Sequence, residues 1–451
     1  MLNYFLKYKP FYKSNFLLVY PVVISQLGQM LTAIGDTVMV GQLGTIPLAA
    51  CALANSILSI FLVSGIGISQ GITPIVAQEN GKGNKKICGL YLEQGVIISI
   101  FSGIFLFGIV ALIAQHLHLL AQPFLVEIAA KDYLLVIAAS IVPLMVFQIF
   151  RQFAEGLGYT RQAMFISIAG NALNILFNFI LIYGWWGFPA YGLFGAGIGT
   201  LVSRIFMALA MGFYVIKSSL FTAYLSDFKI HRPDWNKIKK IVKLGFPIAL
   251  QYFFEIGAFS GAAIMIGWIG AVELAAHQIA INLAAFTYMG ASGIAAAATI
   301  KAGNAMGKKD FKEIKLSAIS SYHLVMAYML ATAFIFLTCN QLLPRLYINN
   351  AAVTALASQL LILAAFFQLS DGIQVVGAGV LRGLSDVKIP TIITLVAYWV
   401  IGLPLGYVLG FTFHLGPQGI WISLSIALTA SATLLYFRFR NMMDKLAFET
   451  V

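Results

Sequence analysis

The chain is expected to be an all-α polytopic membrane protein, with twelve transmembrane helices arranged as two six-helix bundles related by a pseudo-twofold axis. Three observations predict this. The 451 residues are 60% hydrophobic and only 10% charged, far from the balance of an ordinary soluble domain. Twelve apolar runs follow one another, each of about 20 residues or more and so able to cross a ~30 Å hydrocarbon core as a helix. Finally, the first half of the sequence matches the second at a nearly constant offset.

The runs cover residues 15 to 40, 47 to 76, 93 to 114, 131 to 151, 161 to 184, 193 to 217, 241 to 268, 275 to 300, 316 to 338, 355 to 381, 388 to 411 and 417 to 437. They are continuously apolar, whereas the strands of an outer-membrane barrel alternate over about 10 residues. The first run outlasts the apolar core of a signal peptide, contains Asp36, and is not closed by a small-residue cleavage site. It is therefore expected to be a span.

A net charge of +12 would suggest nucleic acid as the partner of a soluble protein. Here the basic residues are sorted by loop. Of the 28 Lys and Arg, 25 fall at the start of the chain, in the even-numbered loops and at the end, against Lys131 and Arg345 on the other face and Arg204 within a run. The positive-inside rule then places both termini in the cytoplasm of a protein of the plasma (inner) membrane, and nucleic acid is not an expected partner. Nor is a nucleotide, because Gly303 to Lys309 (GNAMGKK) lacks one spacer and the magnesium-binding Ser/Thr of a phosphate loop. Cys51, Cys88 and Cys339 are far apart, and His116, His118, His231, His277, His323 and His414 share no ligand spacing with them. No disulfide framework, metal centre or organic cofactor is expected.

The duplication aligns residues 21 to 86 with 247 to 312 at an offset of 226. Pro21 meets Pro247, Gly41 meets Gly267, Leu48-Ala49-Ala50 meets Leu274-Ala275-Ala276, and Gly81 meets Gly307. Further on, Gly156-Leu157 meets Gly383-Leu384 at an offset of 227. The expected organisation is an N-terminal half over 1–217, a polar cytoplasmic linker over 218–240 and a C-terminal half over 241–451. Six helices per half give the two halves the same orientation, with the pseudo-twofold axis along the membrane normal. Such repeats suit alternating access by rocking of the halves. Gly195xxxGly199 and Gly379xxxGly383 are expected close-packing faces.

Acidic residues number only sixteen, yet Asp36, Glu255 and Asp371 lie inside apolar runs. A carboxylate at bilayer depth is costly unless protonated, paired or facing a wet cavity, so such residues mark ion or substrate pathways. In the fifth run Asn171, Asn174 and Asn178 fall at i, i+3 and i+7, on one helical face. With Asp36, Thr37 and Thr200 they are expected either to form an oxygen-rich site for sodium or a proton or to hold helices together. Glu255 near Gln251 and Phe259, with Asp371 near Gln368 and Gln374, makes a second candidate site. In the repeat Glu255 is matched by Gln29 and Asp36 by Ala262, so the acids are not copies of one site. Arg204 is expected to pair with a carboxylate or carbonyl. Tyr183, Trp185 and Trp186 read as interfacial anchors.

The run Gly35-Asp36-Thr37-Val38-Met39-Val40-Gly41, the run Met265-Ile266-Gly267 followed by Glu273-Leu274-Ala275-Ala276-His277-Gln278, and Asp371 with Arg382-Gly383 resemble the multidrug and toxic-compound extrusion (MATE) family, NorM branch. The likeness runs from about Phe16 to Arg440. It implies a monomeric, non-enzymatic antiporter of the lipid bilayer that expels organic cations and amphipathic drugs in exchange for Na+ or H+. It also implies a C-terminal cation site at Glu255, Tyr288 and Asp371 and an N-terminal one at Asp36, Asn174, Asn178 and Thr200, with Na+ held at either. Gln278, Phe259 and Phe367 are the implied drug contacts. Phe367 stands where some relatives have tyrosine, Asn349-Asn350 where some have an acidic pair, and Asn178 where some archaeal relatives have aspartate.

Three rival readings make other demands. A lipid or polysaccharide-precursor flippase of the same superfamily is expected to line its path with several Arg or Lys, and Arg204 alone stands within the runs as read from the sequence. A major facilitator carries Gly-x-x-x-Asp-Arg between helices two and three, where this chain has Gln78-Glu79-Asn80-Gly81-Lys82-Gly83-Asn84. A channel or receptor would have no evident use for duplicated halves.

Overall fold

The computed structural model describes residues 2–120, 122–226, 228 and 232–448, and for 2–7, 447 and 448 the backbone alone. Lys229 and His231 of the linker lie outside the described residues. Among the described residues, twelve helices are long and apolar enough to cross a membrane. They are α1 Tyr8–Gly41, α2 Thr45–Gly81, α3 Lys85–Gln115, α4 Phe124–Gly156, α5 Arg161–Tyr183, α6 Gly192–Lys217, α7 Trp235–Ile269, α8 Ala271–Gly307, α9 Phe311–Thr338, α10 Ala351–Gly383, α11 Lys388–Thr412 and α12 Gly416–Leu446. Helices are what these runs must form, because in hydrocarbon each backbone N–H and C=O has to be satisfied within the segment.

Helix ends follow local chemistry. Asp310 caps α9 by accepting from the Glu313 amide at 2.8 Å, and Asn350 caps α10 through the Ala352 and Val353 amides. Gly184, at φ 76°, closes α5 in the left-handed conformation. Asp234 accepts from the amides of Asn236 and Lys237 at the start of α7 and pairs with the Lys237 ammonium, which holds its carboxyl below the usual carboxylate range. The Asp234 amide in turn donates to Gln94 Oε1 at 2.8 Å, tying the end of the linker to α3.

Glycine sets the helix packing where the sequence expects it. A Cβ on Gly379 would stand 2.6 Å from the Ala295 carbonyl oxygen, and one on Gly383 2.5 Å from that of Thr299. The Thr299 hydroxyl reinforces this contact by donating to the Gly379 carbonyl at 2.8 Å. On the matching face of α6, Gly195 meets the Leu181 carbonyl of α5 and Gly199 meets the Asn178 side chain.

The helix α11 is not regular. Val396–Gly402 and Val408–Thr412 are π-helical and flank the short α-helical stretch Leu403–Tyr407. Pro404 lies between them and brings no N–H to the ladder. Widened turns of this kind gather at functional sites.

The chain forms two compact units. One comprises Met1–Val23 with Leu250–Val451 and the other Ile24–Ala249. The sequence halves thus exchange the opening segments of α1 and α7, and each exchange ends two residues past a proline of the matched pair Pro21 and Pro247. In the first unit the Asn15 amide of α1 donates to the hydroxyls of Ser320 and Ser321 on α9, all three residues fully buried. In the second, the backbone of α7 at Gly245 and Ala249 runs against Gly71 and Gly67 of α2 so closely that no Cβ fits between.

One helix boundary is moved. The helix α4 extends past residue 151 to Gly156 and holds Arg151 within it. Arg151 is 5% exposed and its Nε lies 2.7 Å from Glu155 Oε1, one turn on. The apolar run reads as ending at Arg151, but the neutralised i,i+4 pair lets the helix continue.

Two candidate cation sites

The N-terminal site is built by α1, α5 and α6 within the second unit. Asn178 is fully buried and its Nδ2 donates to Asp36 Oδ1 at 2.7 Å and to Asn174 Oδ1 at 3.3 Å. The Asn174 amide passes on to Thr200 Oγ1 at 3.2 Å, and that hydroxyl donates to the Ala196 carbonyl at 3.1 Å. Gly199 makes room for this arrangement, since a Cβ there would lie 2.0 Å from Asn178 Oδ1. The donors are thereby spent inside the cluster. Asp36 Oδ2 and Asn178 Oδ1 remain as acceptors, a set suited to a proton or a small hard cation.

The sequence-predicted residues Asp36, Asn174, Asn178 and Thr200 come together. Thr37 does not join them: it is exposed and its hydroxyl turns to the Ala33 carbonyl at 2.9 Å. Arg204 does not pair with a carboxylate or carbonyl as expected: among the described residues its Nη1 donates to the buried Ser140 hydroxyl at 2.7 Å. Its guanidinium stays within electrostatic reach of Asp36 and Tyr133 without a direct ion pair to Asp36. Tyr183 fastens the far end of α5 to α1, donating to the Met39 carbonyl and to Gln42.

The C-terminal site lies in the first unit. Glu255 of α7 is 7% exposed and Asp371 of α10 is 6% exposed. They are within electrostatic reach of one another and of Tyr288 on α8, and Glu255 also of Arg382. Neither carboxyl has a hydrogen-bonded or ion-paired partner among the described residues. Arg382 instead lies over the Tyr252 ring, 5.5 Å from its centroid, and donates to that hydroxyl at 3.3 Å. Two buried like charges repel, and a buried charge without a partner is costly. Uptake of a proton or a monovalent cation would relieve both costs.

Of the amides near these acids, Gln368 is structural: it donates to Thr287 Oγ1 at 3.2 Å and accepts from the Thr332 hydroxyl. Gln374 accepts from Tyr398 at 3.3 Å. Phe367 is buried against Trp421, with ring centroids 5.5 Å apart, so it serves the core. Phe259 packs on Tyr398, and Gln278 is exposed on α8. No group of three or more His, Cys, Asp and Glu that could hold a metal ion stands together among the described residues.

The MatE family model matches this chain over residues 21–180 and again over 247–408, the two copies of the duplication. The chain belongs to the MATE family. Its curated relatives include the multidrug resistance protein MdtK of Photorhabdus laumondii subsp. laumondii, 36% identical over 439 residues that cover 96% of each chain. The MdtK of Yersinia pseudotuberculosis is 34% identical over 441 residues, 95% of each chain. Among solved structures the fold matches the eukaryotic MATE transporter AtDTX14 with a TM-score of 0.88, at 18% identity and over 99% of this chain and 100% of that one. It also matches an outward-facing multidrug resistance MATE transporter with a TM-score of 0.88, at 20% identity and 97% coverage of both.

In this MATE chain two residues beside the C-terminal acids escape sequence reasoning. Tyr398 is fully buried and within electrostatic reach of Glu255, Asp371 and Tyr288. Trp399 donates its indole N–H to the Phe254 carbonyl at 2.9 Å. The π-helical turn directs these neighbours onto two different helices, α10 and α7. A Tyr-Trp pair shortly before a Gly and a Pro is the only signal the sequence carries for it.

Proposed function

We propose that this protein expels organic cations and amphipathic drugs across the plasma membrane in exchange for Na+ or H+, by alternating access. The observation that carries the reading is the pair of buried carboxyls, Glu255 and Asp371, held on separate helices with no hydrogen-bonded or ion-paired partner among the described residues. A third acid, Asp36, sits in an acceptor-rich cluster of its own in the other unit. The relatives named as multidrug resistance proteins support the drug class. The buried or half-buried arginines argue against an anionic lipid as cargo: Arg151 is engaged by Glu155, Arg204 by Ser140 and Arg382 by Tyr252. With the cytoplasmic termini expected from loop charge, one monovalent cation entering down 100 mV releases about 2.3 kcal/mol. For a neutral drug that supports a concentration ratio of roughly 50-fold for each ion exchanged, whereas a monovalent organic cation leaving in one-for-one exchange cancels the charge and is driven by the ion's concentration gradient alone.

The test is efflux of a fluorescent organic cation from proteoliposomes under a sodium gradient and a pH gradient imposed separately. Glu255→Gln, Asp371→Asn and Asp36→Asn are each compared with the native chain. Loss of sodium-driven efflux at Glu255 or Asp371 assigns coupling to the C-terminal site, and loss of proton-driven efflux at Asp36 assigns it to the N-terminal one. Efflux and ion dependence unchanged in all three variants overturn the scheme. A native chain inert under both gradients promotes the flippase reading.

A further inference from the structure

Helices α1 and α5 run side by side in one register below Asp36. Tyr183 meets Met39, Asn178 meets Asp36, and Asn171 meets Gly28, where a Cβ would stand 2.9 Å from Asn171 Nδ2. The sequence separations are 144, 142 and 143, so the two helices keep step over this length. The same register brings Ser167 of α5 to the level of Ser25 of α1. Ser25 stands 11 residues before Asp36, and Ser167 stands 11 residues before Asn178. Eleven residues is close to three helical turns, so each ladder holds one face over about 16 Å.

These faces are polar, buried and unsatisfied. Ser25 is 1% exposed, and Ser167 and Asn178 are fully buried. Ser25 Oγ, Ser167 Oγ, Asn171 Nδ2 and Asn178 Oδ1 all lack a hydrogen-bond partner, four of the nine such side-chain atoms among the described residues. Helical hydroxyls in hydrocarbon ordinarily turn back on their own helix, as Thr32 does to the Gly28 carbonyl at 2.8 Å and Ser69 to that of Gly65 at 3.1 Å. Ser25 and Ser167 do not. An unpaired buried polar atom costs roughly 1–3 kcal/mol, and a cluster of them is the setting in which proteins hold ordered water. Two hydroxyls and an amide N–H supply both donors and acceptors along the seam.

We propose that the α1–α5 seam holds a file of water that carries a small monovalent cation, hydronium or sodium, between Asp36 and the end of the seam at Ser25 and Ser167. This deepens the antiport reading and rests on it for the cargo. The hydrated seam itself does not depend on that reading. Asn178 closes the head of the seam: its Nδ2 holds Asp36, while its Oδ1 lies against Gly199 of α6. By the charge distribution of the loops, the seam leads from Asp36 toward the cytoplasmic face.

The seam is tested with silver ion, which enters narrow aqueous paths and replaces the proton of a thiol. Ser25→Cys and Ser167→Cys are made separately in the full chain, with Ala77→Cys as control, a fully buried residue of α2 off the seam. Folding is checked by monodisperse elution, and thiols left after silver exposure are counted in the denatured protein. The expected result is the loss of one more thiol per chain in both seam variants than in the native protein, faster than in Ala77→Cys. Rates equal to the Ala77→Cys control overturn the hydrated seam. In a second arm, Ser25→Ala and Ser167→Ala are expected to slow gradient-driven efflux while leaving equilibrium drug binding in detergent unchanged. The pH and sodium gradients distinguish hydronium from sodium. Silver access with undiminished efflux overturns the conduit. A native chain inert under both gradients overturns the antiport reading and the cargo with it, while the silver arm still decides hydration.

Discussion

Trp399 donates its indole N–H to the carbonyl of Phe254, 2.9 Å away and one residue before Glu255. Its ring also rests against Gly257, where a Cβ would come within 3.0 Å. The π-helical turn of α11 thereby grips α7 on both sides of the acid. Trp399→Phe removes the bond, a change of about 0.5–1.5 kcal/mol or roughly 2- to 10-fold in an equilibrium constant, and withdraws the outer indole ring from Gly257. The expected outcome is cation dependence of efflux shifted by that factor with little change in melting temperature. An unshifted cation dependence would show that the grip does not orient Glu255.

Arg151 and Glu155 give a stability prediction that single and double changes separate. Removing one partner of a buried pair leaves an uncompensated charge and costs roughly 3–5 kcal/mol, whereas replacing both with apolar residues is near neutral. Arg151→Met alone is expected to lower the thermal midpoint of the detergent-solubilised protein sharply, and Arg151→Met with Glu155→Leu to recover most of it. A double variant no more stable than the single one would mean that the pair does more than neutralise charge.

Asn178 is the only hydrogen-bond donor to Asp36 among the described residues, and a hydrogen bond to a charged group is worth about 1.5–3 kcal/mol. Asn178→Ala favours the neutral form of Asp36, so the N-terminal site is expected to release its proton or take up its cation at higher pH than in the native chain. The pH dependence of proton-driven efflux, or the infrared carboxyl band of Asp36, reads the shift. A movement toward lower pH would contradict the geometry.

Much of this was legible in the sequence, for physical reasons that can be named. Continuous apolar runs leave no alternative to spanning helices, so all twelve are read. Asp36, Glu255 and Asp371 are visible because a carboxylate in such a run is rare. The Asn174 and Asn178 stripe is visible because helical periodicity places both on one face. The buried pair of Arg151 and Glu155 is missed because composition alone does not show that the two side chains, one turn apart, neutralise each other. Tyr398 and Trp399 are missed because their role depends on a change of helical pitch, and aromatic residues are ordinary in membrane helices. Thr37 is wrongly grouped with Asp36 because adjacency in sequence puts it about 100° around the helix.

Gly199 ties helix packing to the site itself. A Cβ there would lie 2.0 Å from Asn178 Oδ1 and 3.1 Å from the Asn178 backbone nitrogen, so the side-chain amide must turn away. Gly199→Ala is therefore expected to reproduce the shifted pH dependence of Asn178→Ala while the helices remain packed. The contrast is Gly379→Ala, whose Cβ would meet the Ala295 carbonyl at 2.6 Å and has only backbone to displace. That overpacking costs about 1–3 kcal/mol and is expected to appear as a lower melting temperature with ion dependence intact. If Gly199→Ala instead lowers stability and leaves the pH and sodium dependence of efflux unaltered, the Asn178 amide is helix glue and the N-terminal cluster is not a coupling site.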